Sequence, residues 1–337
     1  MHRIIRGKKV VSQIIILLGG IAIFIYGLKI ISEVTQSSVS GGVKNRIASF
    51  TKTPIRGVLT GAAVSAITQS SVAVNVITVG LVEGGVISFF ASSAVIMGAN
   101  IGTTVTAQII SASAFGGGVI GAIVSIIGLL ANFSKNNRIK SASEILMGLG
   151  VLFAGLSIMS KSVAHLGGYY WFQKIFLIKN PFLLFLNGMV TTGITQSSSA
   201  VTGITVLLAN GGLIDFKSSA FITLGSNVGS CFAVVITSLN KSVEGRRAAV
   251  FNLAFNLFGS LLFFPVLYFF GDALTLRILS KNKSVGKAIA DFHTLFNIIC
   301  TVVALPILKF LTLIIEKLVK DTPKTSPKNT SRIKSFY

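Results

Sequence analysis

The chain has 337 residues, of which 52% are hydrophobic and 12% are charged, whereas an average soluble domain carries roughly 25% charged residues. A mean hydropathy of +0.80 leaves too few polar groups to cover a water-exposed surface. The composition therefore excludes a water-soluble globular protein and predicts an all-α integral membrane protein. The net charge of +21 lies in the termini and between the apolar segments, which is typical of contact with anionic lipid headgroups rather than nucleic acid.

In chain order, the sequence predicts a basic N-terminal tail, two units of similar organisation, a last membrane helix and a second basic tail. The N-terminal tail is predicted at 1–13, and the apolar run that follows shows no small-residue cleavage site, so it is interpreted as a retained membrane helix. The two units are predicted at 14–134 and 141–271. A final transmembrane helix is predicted at 288–319 and a disordered tail, rich in Pro, Ser and Lys, at 320–337.

The two units are defined by an internal repeat with a constant offset of 127 residues. The segment ITQSSVAVNVITVGLVEGG at 67–85 aligns with ITQSSSAVTGITVLLANGG at 194–212. Further along, GANIG at 98–102 aligns with GSNVG at 225–229 without a gap. Between 68 and 102, 18 of 35 positions are identical, which is far more than composition bias would give in one register.

Each unit contains a segment with TQSS at its centre, at 57–81 and at 184–208. Pro54 and Pro181 precede these segments and Gly-Gly pairs follow them, as at turns. Half-segments of about 12 residues are too short to cross ~30 Å of hydrocarbon, so each segment is predicted to form a re-entrant hairpin with TQSS at its tip. Irregular backbone at membrane depth is acceptable where it lines a cavity, and the tips are therefore the predicted binding site.

The segments that follow, 86–110 and 213–239, are long enough to span the membrane, but a GxNxG sequence interrupts each of them. Both are predicted to be discontinuous helices with unwound middles. If each hairpin returns to its own side, unit one has an odd number of crossings, so unit two is predicted to be inverted, the recurrent design of secondary transporters. The same count gives seven crossings in total, whereas two basic termini favour an even number, and the topology stays open.

The paired motifs suit an anion and a small cation together. Helix N-termini present unpaired N–H groups that favour an anion, and helix C-termini present carbonyl oxygens that favour sodium. Neither TQSS segment contains Lys or Arg, so a bound anion would need sodium to neutralise it. The alternative is that Ser, Thr, Gly and Asn only hold membrane helices together; the duplication of both blocks favours a site.

Several other polar residues are assigned structural roles. Asp291 and His293 are placed at the start of the last helix, where an acidic residue is favourable in any case. Asn252 and Asn256 lie one turn apart and are predicted to hydrogen-bond across the bundle. Asp215 is predicted to begin a helix.

At the paired QSS and GxNxG blocks, and over about residues 14–315, the sequence resembles the sodium/phosphate cotransporter family, the type II group and its bacterial relatives. The resemblance implies a phosphate site lined by both QSS stretches, with sodium bound beside them. The implied phosphate-binding residues are Gln69, Ser70, Ser71, Gln196, Ser197, Ser198 and Ser199. For sodium the resemblance implies Asn100, Thr103, Thr104 and Asn227, and the hydroxyl oxygens of Thr68, Thr195 and Ser230 complete the predicted sodium-binding residues.

Two departures from the family pattern concern the ligands. Val72 replaces the third Ser of the first QSSS, and Cys231 stands where a second Thr is expected. Each change removes one oxygen, so the number of sodium ions stays open.

The expected function is sodium-coupled uptake of inorganic phosphate by alternating access, in a multi-pass protein of the cell membrane, which is the inner membrane if the protein is bacterial. No enzymatic activity, cofactor or metal other than sodium is predicted, and a homodimer stays open. The alternatives are transport of another oxyanion or a small carboxylate, and a membrane phosphate sensor that does not transport. An intramembrane serine hydrolase is disfavoured, because no His matches in both units.

Overall fold

The protein is described by a computed structural model over residues 2–39, 50–112, 117–175, 178–280 and 284–320. Within these ranges the chain is helical and contains no strand. The helices are α1 His2–Val39, α2 Pro54–Thr68, α3 Ser71–Glu83, α4 Phe89–Ala112, α5 Gly117–Ala131, α6 Asn137–Leu166, α7 Tyr170–Ile175, α8 Pro181–Thr195, α9 Ser198–Asn210, α10 Phe216–Gly229, α11 Cys231–Ser238, α12 Val243–Leu279, α13 Val285–Ala304 and α14 Leu308–Leu318. The predicted N-terminal tail lies in α1, whereas the predicted C-terminal tail, apart from Lys320, falls outside the described residues.

Six helices in the described ranges are long and apolar enough to cross a membrane, as judged by length and composition. They are Val10–Thr35, Phe89–Ala112, Ile139–Leu166, Phe216–Ser238, Val243–Leu279 and Val285–Ala304. The seventh crossing of the sequence count corresponds to α5, whose 15 residues fall short of the ~20 that a straight crossing needs. The prediction of a multi-pass, all-α membrane protein is confirmed.

Each TQSS segment forms two short helices that meet at the Gln-Ser pair, α2 with α3 and α8 with α9. Pro54 and Pro181 occupy the first turn of α2 and α8, where the missing N–H of Pro breaks no helical hydrogen bond. Gly85 and Gly212 follow α3 and α9 with φ angles of 67° and 71°, a conformation that favours Gly. The predicted half-helices are therefore present; their re-entry into the membrane stays a prediction.

The predicted unwinding at GxNxG is wrong for unit one, because α4 continues without interruption through Asn100. In unit two the interruption between α10 and α11 is limited to Ser230, which keeps right-handed helical angles of φ −63° and ψ −20°. The sequence motif therefore does not mark an open backbone.

Close helix packing explains the glycines of GxNxG. A Cβ on Gly98 would lie 1.9 Å from the carbonyl oxygen of Val58, and a Cβ on Gly225 would lie 1.9 Å from that of Phe185. Because real Cβ atoms cannot come so near, glycine is required for α4 to approach α2 and for α10 to approach α8. Both GxNxG helices thus pack backbone to backbone against the first helix of their own motif pair.

Helices α1 and α6 open the two units and pack against each other in opposite directions. A Cβ on Gly27 would lie 2.5 Å from the Leu152 amide nitrogen, and a Cβ on Gly155 would lie 2.5 Å from the Phe24 amide nitrogen. Gly27 therefore faces Leu152, three positions before Gly155, and Gly155 faces Phe24, three positions before Gly27. This crosswise pairing requires the two helices to be antiparallel. Since the two glycines hold equivalent positions in GIAIFIYGLKIIS (20–32) and GLGVLFAGLSIMS (148–160), equivalent helices of the two units make a reciprocal contact.

The predicted final helix at 288–319 is instead two helices, α13 and α14. Pro306 lies between them, and its ring and missing N–H do not continue a helix. α13 starts at Val285, so Asp291 lies in its second turn rather than at its start. α13 packs against both α4 and α10, which places it beside the GxNxG helices of both units.

Candidate functional site

In both units the C-terminus of one helix and the N-terminus of the next meet at the TQSS motif. Gln69 and Gln196 each adopt a left-handed φ of 54°, and they are the positive-φ residues other than glycine in the described chain. This conformation costs an L-residue roughly 1–2 kcal/mol, and such strain is concentrated at functional sites. Because the same strained conformation occurs in both motifs, the two motifs share one backbone structure.

The first serine of each motif caps the helix that follows. The Oγ atoms of Ser70 and Ser197 accept hydrogen bonds of 3.2 Å from the amides of Ala73 and Ala200. Each cap satisfies one of the four N–H groups that a helix N-terminus leaves without an intrahelical partner. The remaining first-turn amides of α3 and α9 are N–H groups that can bind an anion, and the caps made by Ser70 and Ser197 fix the position of these amides.

The serines that follow the caps carry hydroxyls without a hydrogen-bond partner among the described residues. Ser71 is 4% exposed, Ser198 6% and Ser199 8%. Val72 occupies the position equivalent to Ser199. Unit one thus offers one such hydroxyl at its helix N-terminus and unit two offers two.

The two motif glutamines differ in how their side chains are held. Gln69 accepts a 2.7 Å hydrogen bond from the hydroxyl of Thr106 on α4, and its amide donates to the Ala66 carbonyl. Gln196 is exposed, and the position equivalent to Thr106 is Ala233. Thr106 was not predicted from the sequence, because an internal repeat gives no signal at a position that is polar in only one unit.

The predicted sodium-binding residues of unit one, Thr68, Asn100, Thr103 and Thr104, are all buried. Each of them donates a hydrogen bond to a backbone carbonyl of its own helix. The Thr103 hydroxyl also lies 3.0 Å from that of Ser65 on α2. Because the donating groups keep an oxygen with free lone pairs, these residues can still supply oxygen ligands.

The predicted sodium-binding residues of unit two have different surroundings. Thr195 is exposed, and the Ser230 hydroxyl donates to the Asn227 carbonyl at 2.7 Å. The Asn227 side-chain oxygen lies 3.1 Å from Nε2 of His293 on α13. His293 was predicted to have only a structural role at the start of a helix. It is instead in contact with Asn227, a predicted site residue. His293 lies outside both predicted units, so the internal repeat gave no signal for it.

Asp291 lies in a separate cluster that joins α13 to α4. Its carboxylate pairs with Lys287 and accepts a 3.1 Å hydrogen bond from Gln108, whose own oxygen accepts from Lys287 at 2.9 Å. The prediction for Asn252 is confirmed, because its side-chain oxygen accepts a 3.2 Å hydrogen bond from Asn75 on α3. The Asp215 carboxylate caps α10, as predicted.

The two units contact each other next to the motifs. α4 of unit one packs against α9, and α3 packs against α11 and α12. Within the described ranges, no hydrogen bond joins the TQSS residues of one unit to those of the other, and no group of three or more His, Cys, Asp or Glu side chains could hold a metal. The available ligands are neutral oxygens and amides, which suit an anion and a hard monovalent cation.

Sequence comparisons point to a transporter family. Residues 23–161 and 172–302 match the family described as Na+/Pi-cotransporter. A Bacillus subtilis (strain 168) protein named "Uncharacterized protein YqeW" is 28% identical over 293 residues, which cover 85% of this chain and 92% of that protein. An Escherichia coli (strain K12) protein named "Putative inorganic phosphate export protein YjbB" is 24% identical over 312 residues, which cover 91% of this chain.

The chain spans 56% of the length of the E. coli relative, and a Salmonella typhimurium protein of the same name is 23% identical over the same extent. No solved structure matches the chain. The matched family residues make up well over half of the sequence, and the family is one of membrane transporters and not of enzymes. The chain therefore belongs to the Na+/Pi-cotransporter family.

Proposed function

We propose that this protein is a secondary active transporter that moves inorganic phosphate together with sodium by alternating access. One observation carries the proposal: both motifs bring a helix N-terminus, capped by Ser70 or Ser197, against a helix C-terminus that ends at a left-handed glutamine. The first element attracts an anion and the second a cation. Two such elements can hold phosphate between them, with sodium at the carbonyl ends.

Sodium dependence has a physical origin in the charges of the motifs. The TQSS segments contain no Lys or Arg, so phosphate meets only amides, hydroxyls and partial helix charges there. These groups stabilise an anion but do not neutralise it, and sodium bound nearby supplies the missing positive charge. Phosphate and sodium should therefore increase each other's affinity, as linkage requires.

We further propose that unit two is inverted relative to unit one. The reciprocal contact of Gly27 and Gly155 supports this, since it makes the equivalent helices α1 and α6 antiparallel. Opposite directions require an odd number of crossings from α1 to α5, so α5 crosses as well as α1 and α4, although it is only about 22 Å long. A single cysteine at Lys135, between α5 and α6, should then react from the same side as one at Gly84, because both α4 and α5 cross between the two positions; labelling of the two from opposite sides would contradict the inversion.

The decisive experiment is the flux of labelled phosphate in proteoliposomes of the purified protein. An inward sodium gradient should accelerate uptake, whereas equal potassium or choline gradients should not. Equal flux with and without the sodium gradient would remove the coupling from the proposal. Gln69→Ala and Gln196→Ala, measured separately, should both reduce flux if one site uses both units.

Competition separates the alternative substrates. Arsenate, which matches phosphate in shape and charge, should compete closely, whereas sulfate and small carboxylates should not. A protein that binds phosphate at equilibrium and shows no flux would instead be a sensor.

Export is a second candidate function, because the E. coli relative is named as a phosphate export protein. A coupled carrier runs in the direction that its combined gradients favour. Phosphate-loaded vesicles with sodium inside should therefore show accelerated efflux if the carrier is reversible. Efflux that proceeds equally well without sodium would favour an uncoupled exporter.

A further inference from the structure

One face of α13 carries polar side chains on three successive turns: His293, Asn297 and Thr301. Their exposed fractions are 2%, 1% and 3%. On each of them one atom has no hydrogen-bond partner in the described chain, namely Nδ1 of His293, Oδ1 of Asn297 and Oγ1 of Thr301. A buried polar atom without a partner loses the hydrogen bonds that it makes to water in the unfolded chain, so three along one stripe indicate a ligand that the chain itself does not supply.

The stripe lies level with the second motif. α13 begins where α9 ends, since the Gly286 amide donates a 2.8 Å hydrogen bond to the Asn210 side chain. The two helices pack together and must therefore run in opposite directions. Asn297 follows Gly286 by eleven residues and Ser199 precedes Asn210 by eleven, so each lies about 16 Å along its helix from that contact.

The stripe also lies level with the GxNxG segment of unit one. Gln108, near the end of α4, donates a 2.9 Å hydrogen bond to Thr294 and accepts one from Lys287, near the start of α13. α4 and α13 pack together, and because the end of α4 contacts the start of α13, the two helices must run in opposite directions. Asn100 precedes Gln108 by eight residues and Thr301 follows Thr294 by seven. These two residues therefore lie at about the same height. The free oxygens of α13 thus lie at the height of predicted ligands of both units.

We propose that Asn297 Oδ1 and Thr301 Oγ1 bind a sodium ion between α13 and the GxNxG helices. Both ligands are neutral oxygens, and the acidic residue of α13, Asp291, is already paired with Lys287. Calcium and magnesium sites use carboxylates, so this arrangement favours a monovalent cation. His293 acts as a positioning residue, because its Nε2 contacts Asn227 and so ties α13 to α10.

This site deepens the proposed function, since sodium bound there would couple α13 to both units. Its location in α13, outside the duplicated segments, explains why the repeat comparison could not find it. Binding itself can be tested without phosphate and without transport.

The test is a sodium titration of the purified full-length protein in the absence of phosphate. The thermal unfolding midpoint is measured at each sodium concentration, and potassium replaces sodium so that the ionic strength stays constant. The variants are Thr301→Val, which removes the hydroxyl at equal size, Asn297→Leu, and Thr301→Ser, which keeps the hydroxyl. Thr312→Val is the matched control, because Thr312 is also 3% exposed but its hydroxyl is satisfied by the Lys309 carbonyl.

Sodium should raise the unfolding midpoint of the wild-type protein and potassium should not. The half-maximal sodium concentration should rise at least about tenfold in Thr301→Val and Asn297→Leu, which corresponds to about 1.4 kcal/mol, and should stay unchanged in Thr301→Ser and Thr312→Val. If Asn297→Leu fails to fold, the Thr301 pair still decides the result.

A wild-type protein that responds equally to sodium and potassium, or a Thr301→Val variant that titrates like wild type, would overturn the site and leave water as the occupant of the stripe. Labelled-phosphate flux is measured on the same variants. A sodium titration that shifts in Thr301→Val while the wild-type protein moves no phosphate would keep the site and refute the proposed transport.

Discussion

The TQSS motifs of units one and two share a backbone but differ in how their side chains are held. Gln69 and Gln196 have the same φ of 54°, and Ser70 and Ser197 cap the next helix with hydrogen bonds of the same 3.2 Å length. Yet Gln69 is tied to Thr106, whereas Gln196 is exposed.

The comparison separates two determinants of the site. The local sequence determines the helix ends, because Pro, Gly-Gly and the Ser cap act within a few residues of the motif. The neighbouring helix determines the side chains, and α4 presents Thr106 where α11 presents Ala233. We therefore expect substitutions that alter the helix ends to have similar effects in the two units. Substitutions that alter side-chain contacts with the neighbouring helix should have different effects in the two units.

The largest expected effect comes from the close-packed glycines. Gly98→Ala and Gly225→Ala each place a Cβ 1.9 Å from a carbonyl oxygen, so both should destabilise the protein by about 3 kcal/mol or more. Gly80→Ala is the control, since a Cβ there meets nothing within 4 Å. The measurement is the fraction of monodisperse protein and its unfolding midpoint in detergent. A well-folded Gly98→Ala protein would contradict the backbone-to-backbone packing.

The next effect concerns the free hydroxyls at the helix N-termini. Ser71→Ala and Ser198→Ala should each weaken phosphate binding about tenfold, because a hydrogen bond to a charged group contributes roughly 1.5–3 kcal/mol. Stability should not fall, since neither hydroxyl has a partner in the described protein. Ser92→Ala, which removes a buried hydroxyl bonded to the Phe89 carbonyl, should leave binding unchanged. Equilibrium binding of labelled phosphate distinguishes these outcomes, and an effect confined to one unit would argue against a shared site.

These local features could be predicted from the sequence because they depend on nearby residues. The repeat register, the prolines at the start of α2 and α8, the Gly-Gly pairs and the helix junction at Gln-Ser all follow from short segments. The hydrogen bond between Asn252 and α3 was also anticipated, since a polar residue on an apolar membrane helix needs a partner.

The remaining features depend on contacts that the sequence does not display. A glycine such as Gly98 can break a helix or allow another helix to approach, and only the position of α2 decides between these roles. Thr106 and His293 acquire their significance from residues 37 and 66 positions away. Thr106 has no polar equivalent in unit two and His293 lies outside both units, so the internal repeat that revealed the motifs gave no signal for either residue.

A smaller effect should separate the two units. Thr106→Val removes the hydroxyl that holds Gln69 and makes unit one resemble unit two at this position, so phosphate affinity should fall about threefold to tenfold, in line with one hydrogen bond of about 1 kcal/mol. Thr106→Ser should restore it. In a double-mutant cycle, Thr106→Val should couple to Gln69→Ala and be additive with Gln196→Ala. Coupling to both glutamines would mean that the units are not held independently.

The smallest expected effect comes from exchanging the one hydroxyl that the two helix N-termini do not share. Ser199→Val should weaken phosphate binding and Val72→Ser should strengthen it, each by only about threefold, because the hydroxyl of Ser198 or Ser71 at the same helix end still donates to the phosphate and offsets much of the lost or added hydrogen bond. The double exchange should return the affinity close to that of wild type if both helix ends face one phosphate from equivalent positions. An affinity after the double exchange that differs severalfold from wild type would show that the two ends do not contact the ligand equally. In that case the helix end that carries Val72 contributes less to phosphate binding than its equivalent in unit two, because it lacks the second hydroxyl.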